Sequence, residues 1–270
     1  MTMPKGNYAD VNGLRLYYEI HGQGEPLILL HGGLHNVALL GDTLTQLAAA
    51  RRVIAVDLQG HGRTADIDRP IRYELMADDI AGLIRQLGLI QTDVMGYSLG
   101  GGTALRVAIQ HPDLVRKLVL VSVACKRTGS YPEVLAGMDQ MGGAAAEFMK
   151  QSPIYQSYGQ VSPTPDKFPQ LLDKMGDMLR QPYDWSNDVA ALKMPVLLIF
   201  ADADSVTTDH MAEFYKLLGG GQRDAGWDGS NMPKSQLALL PGLTHYNIFA
   251  SPLLPAVVAP FLYAPMPARV

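Results

Sequence analysis

The sequence predicts an α/β architecture: a mostly parallel central sheet with helices on both faces and an inserted helical cap. Three observations carry that expectation. Short, continuously apolar runs such as Pro26–Leu30 and Arg52–Val56 have the length and composition of strands buried on both faces. Segments with apolar residues at helical spacing alternate with them, which implies crossover connections and parallel pairing. The alternation then breaks over residues 126–187, where prolines 132, 153, 163, 165, 169 and 182 separate short helix-like stretches.

The elements follow in order. Strands at Asn7–Val11 and 15–20 are joined at Asn12-Gly13, a hairpin signal. The apolar run Pro26–Leu30 stops at His31-Gly32-Gly33, and a helix over 40–50 leads to the strand Arg52–Val56, which ends at Asp57. Met76, Ile80, Leu83, Ile84 and Leu87 lie on one helical face, with Asp78, Asp79 and Arg85 on the other. A strand over 92–95 enters Gly96-Tyr97-Ser98-Leu99-Gly100, with a helix over 103–110 behind it and a strand over 117–123 next. After the cap, a strand at 195–200, a helix at 209–218, a long polar loop at 219–230, a strand at 235–240 and a helix at 251–262 complete the chain. The division expected is a core of residues 1–125 and 188–270, with 126–187 as the cap.

Bulk properties exclude several function classes. With 270 residues, 47 % hydrophobic and 18 % charged, the chain is globular and long enough for one large α/β domain. A net charge of −4 without a basic block points away from nucleic acid and from anionic membrane surfaces. The segment MTMPKGNYADVNG lacks the apolar core of a signal peptide, no apolar run reaches membrane-spanning length, and a single cysteine, Cys125, excludes an internal disulfide. A cytoplasmic protein is expected.

In parallel sheets ligands collect at the carboxyl ends of the strands. Four such ends carry polar residues here: His31-Gly32-Gly33, Ser98, Ala201-Asp202-Ala203-Asp204, and Pro241-Gly242-Leu243-Thr244-His245. Gly-x-Ser-x-Gly between a strand and a helix is a sharp turn with an exposed serine at its apex, beside free backbone N–H groups. Serine is a weak nucleophile alone and needs a base, which histidine can supply, and a carboxylate to orient that base.

The order Ser98…Asp204…His245, each past a strand, resembles the α/β-hydrolase fold family over essentially the whole chain. His31-Gly32-Gly33, the DLQGHGRT run from Asp57 to Thr64, GYSLGG and GLTH are all similar to family segments. The resemblance implies Ser98 as nucleophile, His245 as base and Asp204 as acid. Asp204 closes a turn in which Ala201 stands where the family carries glycine, so Asp202 is the alternative acid. It further implies an oxyanion hole formed by the backbone N–H groups of Gly33 and Leu99. No metal and no cofactor is expected. His31 and His35 are not on one helical face and no acid completes a site with them, the dense histidine–aspartate signature of zinc lactonases is missing, and the glycines of 96–102 do not spell a dinucleotide loop. His31 reads as a brace for its loop; His21, His35 and His210 read as surface or turn residues.

The cap carries Met138, Met141, Met149, Met175 and Met178 with many aromatics, which suits either an adaptable apolar acyl pocket or simple packing onto the core. A serine at the elbow argues against dehalogenase and epoxide hydrolase chemistry. The expected partner is a small-molecule ester or lactone with an apolar acyl part. Perhydrolase, C–C hydrolase and non-catalytic receptor functions are the alternatives. The loop GGGQRDAGWDGS joined to LLPGLTHYNIF is similar to bacterial esterases that include an acyl-homoserine lactonase. That loop is expected at the end of the sheet opposite the site.

Overall fold

The computed structural model describes residues 6–266. The first five residues of the segment read as lacking a leader therefore lie outside the described residues.

Strands β1 (Asn7–Val11) and β2 (Leu14–His21) form the expected hairpin. They are followed by β3 (Pro26–Leu30), α1 (Gly41–Ala48), β4 (Arg52–Val56), α2 (Tyr73–Gln86), β5 (Thr92–Tyr97), α3 (Leu99–Gln110) and β6 (Val115–Val121). Five helices then pass without a strand: α4 (Pro132–Asp139), α5 (Ala146–Met149), α6 (Pro153–Val161), α7 (Phe168–Arg180) and α8 (Ser186–Ala191). Strand β7 (Val196–Ala203), α9 (Thr208–Leu217), β8 (Gln236–Thr244) and α10 (Leu253–Tyr263) close the fold.

The eight strands form one sheet in the order β1-β2-β4-β3-β5-β6-β7-β8. The two pairings made by β2 are antiparallel and the rest are parallel. Alternation along β3 explains its continuous apolar run. Ile28 and Leu30 pack with Met76, Ile80 and Leu105 on the face covered by α2, α3 and helices from the stretch between β6 and β7. Leu27 and Leu29 pack with Leu44, Leu47, Val258 and Phe261 on the face covered by α1 and α10. Both faces are dry, so no position in the strand can be polar.

From β3 the chain moves to β4 on one side, and then returns to β5 on the other. That reversal is the switch point of the sheet, where the loops leaving two adjacent strands diverge and open a crevice. Leu30 pairs with Gly96, so His31-Gly32-Gly33 stands directly beside Ser98. The long loop runs from the end of α9 to the start of β8, which places it at the opposite end of the sheet, as expected.

Strands β6, β7 and β8 are shifted from, or longer than, the expected 117–123, 195–200 and 235–240, and two further local expectations need correction. Helix α3 begins at Leu99 rather than at 103, because Gly100, Gly101 and Gly102 are helical despite their poor propensity. Close packing requires them: a Cβ on Gly100 would stand 2.5 Å from the carbonyl oxygens of Leu30 and His31, and one on Gly102 would run into the Tyr73 ring. His210 is not a surface residue; it is buried, with Nδ1 3.0 Å from a Glu213 carboxylate oxygen and Nε2 accepting from the Cys125 N–H.

Candidate active site

Ser98 sits at the apex of a sharp strand-to-helix turn with φ 51° and ψ −114°. An L residue in that region is strained, and the neighbours must be very small for the turn to close. A Cβ on Gly96 would overlap the Gly100 carbonyl, so both ends of the motif are sterically obligatory. The result lifts Ser98 clear of the sheet at the head of α3.

Ser98, His245 and Asp204 come together from three different strand ends. His245 Nε2 lies 3.0 Å from Ser98 Oγ, and Nδ1 lies 3.0 Å from Asp204 Oδ1. The Tyr97 hydroxyl donates to the His245 carbonyl at 2.6 Å, which anchors the loop that carries the ring. Burial pushes the Asp204 carboxyl up, but hydrogen bonds from His245 and Ser122, the His245 charge and the Ala201 N–H outweigh it and hold the carboxyl below its ordinary value. Ser122 Oγ donates to Oδ2 at 2.5 Å and Ala201 N at 3.0 Å, while Ser205 N donates to Oδ1 at 2.8 Å. The arrangement places an imidazole between a serine hydroxyl and a buried carboxylate, the geometry that a general base with a fixed tautomer requires.

Asp202, the alternative acid, does something else. It is exposed and accepts from Gly242 N at 3.0 Å and Leu243 N at 3.1 Å, pinning the loop that leads to His245. These backbone donors hold its carboxyl below its ordinary value.

Gly33 and Leu99 both line the same cavity as Ser98. Leu99 N is at the first turn of α3, where backbone N–H groups have no helical acceptor. The glycine loop is braced from below. His31 is fully buried, its Nδ1 lies 2.7 Å from the Gly32 carbonyl and its Nε2 accepts from Leu58 N at 3.1 Å. Burial pushes its pKa well below the ordinary histidine value, so the brace is a neutral ring. Among the described residues no three His, Cys, Asp or Glu side chains cluster to hold a metal.

The cavity over Ser98 has a volume of about 520 Å³. Met138, Met141, Ile154, Met175, Leu179 and Val206 form much of its wall; among the described residues Glu133 is its one fixed charge, and no lysine or arginine lines it. The cap side chains divide between the two roles expected of them. Met138, Met141, Met175 and Tyr183 face the cavity, whereas Met178, Tyr158, Phe168 and Trp185 are buried as packing. Phe148 does neither and stands exposed.

Three polar wall residues escaped sequence reasoning. The sequence places Ser122 inside the strand expected over 117–123, yet β6 ends at Val121 and Ser122 turns away with φ 51°. Ser205 was hidden beside the acid; its hydroxyl lies 2.8 Å from His245 Nδ1. His35, read as a turn residue, is half-buried and lines the cavity. Strain was the signal: Leu34, Ser98 and Ser122 are three of the four non-glycine residues with positive φ among the described residues, and all three line this cavity.

Residues 25–180 match the family model for the alpha/beta hydrolase fold. The chain belongs to the alpha/beta hydrolase fold family. Its hydrolase relatives include a pimeloyl-(acyl-carrier protein) methyl ester esterase of Neisseria meningitidis serogroup B, 32 % identical over 206 residues, covering 69 % of this chain and 77 % of that protein. A 2-hydroxymuconate semialdehyde hydrolase of a Pseudomonas species is 34 % identical over 140 residues, which span 50 % of this chain and only 48 % of that relative. Among solved structures, the enol-lactonase of Burkholderia xenovorans LB400 superposes with a TM-score of 0.72 over 96 % of this chain and 100 % of its own, at 21 % identity, a likeness of fold. As in other alpha/beta hydrolases, the sheet is mostly parallel and flanked by helices. Among the described residues no helix is long and apolar enough to cross a membrane.

Proposed function

We propose that the protein is a serine hydrolase of neutral carboxylic esters and lactones with an apolar acyl part, acting through an acyl-enzyme without a metal. The single observation that carries this reading is the hydrogen-bonded relay from Ser98 Oγ through His245 to Asp204. Ser98 Oγ attacks the carbonyl carbon while His245 Nε2 takes its proton, and Asp204 stabilises the imidazolium. The oxyanion of the tetrahedral intermediate is received by the Gly33 and Leu99 N–H groups. Collapse breaks the bond to the leaving alkoxide, which takes the proton from Nε2. Water then repeats the sequence on the acyl-enzyme, releasing the acid and restoring Ser98.

The wall supports the substrate class. Methionines adapt to chains of different shape, and with Glu133 as the only fixed charge among the described residues of the wall, an anionic acyl group meets no counter-ion from them. The cavity volume falls within the usual range for small-molecule sites. An acyl-homoserine lactone, a neutral cyclic ester with an apolar tail, is the leading candidate. We place the enzyme in the cytoplasm, where the free, buried Cys125 suits a reducing environment. Its thiol is pushed up to about 12 by burial, so it does not compete as a nucleophile.

A panel of p-nitrophenyl esters and acyl lactones of increasing chain length tests the reading. Turnover is expected to persist in excess chelator and to vanish in Ser98→Ala. Undiminished turnover by that variant would overturn it.

A further inference from the structure

Besides His245, a second imidazole lines the cavity, and the chemistry above does not use it. His35 lies two residues beyond Gly33, in a turn where its N–H donates to the Gly32 carbonyl at 3.2 Å and Leu34 takes φ 60°. The loop is tied down on both sides of the molecule. Asn36 Nδ2 donates to Ser157 Oγ of the cap at 2.9 Å, and Val37 N donates to the buried Asp57 carboxylate at 2.7 Å. The His35 ring centroid is 6.1 Å from that of Tyr97, which in turn is 5.5 Å from that of His245. His35 is therefore held, by a loop that contains a strained residue, on the wall of the cavity that also holds Ser98 and His245.

Its ring is unpaired. Among the described residues neither nitrogen of His35 has a hydrogen-bond partner, whereas His31 uses both of its own within the protein. Burial, with the neighbouring His245 adding to it, lowers its pKa, so it is neutral at pH 7 with one N–H donor and one acceptor. The His35 nitrogens are not among the fully buried polar atoms left without a partner, so they are open to a group bound in the cavity.

We propose that His35 is a specificity-determining residue that hydrogen-bonds a neutral polar substituent (hydroxyl, keto or amide) beside the scissile carbonyl. The preferred substrate is then an ester or lactone that is apolar along its chain but polar next to the reacting bond. The inference rests on the ester-hydrolase reading.

The test compares methyl hexanoate with methyl 2-hydroxyhexanoate and methyl 3-hydroxyhexanoate by pH-stat. The ratio of kcat/KM for the better hydroxy ester to that for the plain ester is expected to fall about tenfold in His35→Phe. His35→Gln, which keeps a donor and an acceptor, is expected to recover most of it, and His35→Ala repeats the measurement should the phenylalanine variant fail to fold. A ratio that moves less than threefold in the phenylalanine variant, or in the alanine variant where that one takes its place, or a glutamine variant no better than either, would overturn the proposal. If the wild type turns over none of the esters, the hydrolase reading fails instead. Calorimetric binding of the same compounds to Ser98→Ala, with and without His35→Phe, then decides His35 alone: a hydroxy-ester preference lost with His35 supports it, and equal binding overturns it.

Discussion

Replacing Asp204 by asparagine is expected to lower kcat by roughly 10⁴, equivalent to about 5.5 kcal/mol of transition-state stabilisation. The geometry explains why so small a change is severe. The side chain is fully buried, and each carboxylate oxygen faces a fixed backbone donor, Ser205 N on Oδ1 and Ala201 N on Oδ2. An asparagine amide must therefore point its NH₂ at an N–H whichever way it turns. Turned toward Ser205, it also meets His245 Nδ1, which must then accept, leaving the proton on Nε2 where the base should be free. Turned toward Ala201, it preserves the tautomer but offers the imidazolium no charge. The unsatisfied donor should also cost about 1–3 kcal/mol of stability. Asp202→Asn is the matched comparison, since that side chain is exposed and holds only two backbone N–H groups; less than about tenfold in kcat is expected from those lost loop contacts. Steady-state turnover of p-nitrophenyl butyrate reads both variants, with thermal melts to establish that each is folded. An Asp204→Asn enzyme within tenfold of wild type, or an Asp202→Asn loss as large as that of Asp204→Asn, would refute the assignment of the acid.

Other expectations concern the scaffold. Gly100→Ala should destabilise the fold by about 3 kcal/mol or more, measured by denaturant titration, because the atoms in the way are backbone carbonyls of β3 and its loop that cannot give; a neutral effect would deny the steric account of the elbow. His61 is fully buried with its pKa lowered to about 4, first by burial. A depressed histidine contributes stability that is present above its unfolded pKa, near 6.5, and is lost as pH falls toward the folded value, about 3 kcal/mol in all. Asp57, raised to about 6 chiefly by burial, works in the opposite sense and gains stability as pH falls through that value. His61→Asn should therefore gain stability relative to wild type, by about 2 kcal/mol, as pH falls from 6.5 to 4.5; parallel curves would refute this.

Much of this was legible in the chain. Buried parallel strands have no polar positions, so Pro26–Leu30 and Arg52–Val56 show their limits in sequence. Chemistry at strand ends made Ser98, Asp204 and His245 visible, although turn preference alone left Asp202 open until the structure showed which carboxylate reaches the ring. What stayed hidden depends on conformations that composition does not encode. Gly100–Gly102 are helical because neighbouring backbone leaves room for nothing larger. His35 and Ser122 reach the cavity only because Leu34 and Ser122 itself adopt positive φ. His210 looked like a surface helix residue until its partners, Glu213 and the Cys125 N–H, buried it.

The central claim is that Ser98 is the nucleophile, and active-site labelling tests it most directly. The native protein is incubated with a fluorophosphonate, its residual esterase activity is followed, and the modified peptide is identified by mass spectrometry. One adduct per chain on Ser98, formed in step with loss of activity and missing in Ser98→Ala, is the expected result. An adduct on another residue, or full activity in protein whose Ser98 is labelled, would contradict it.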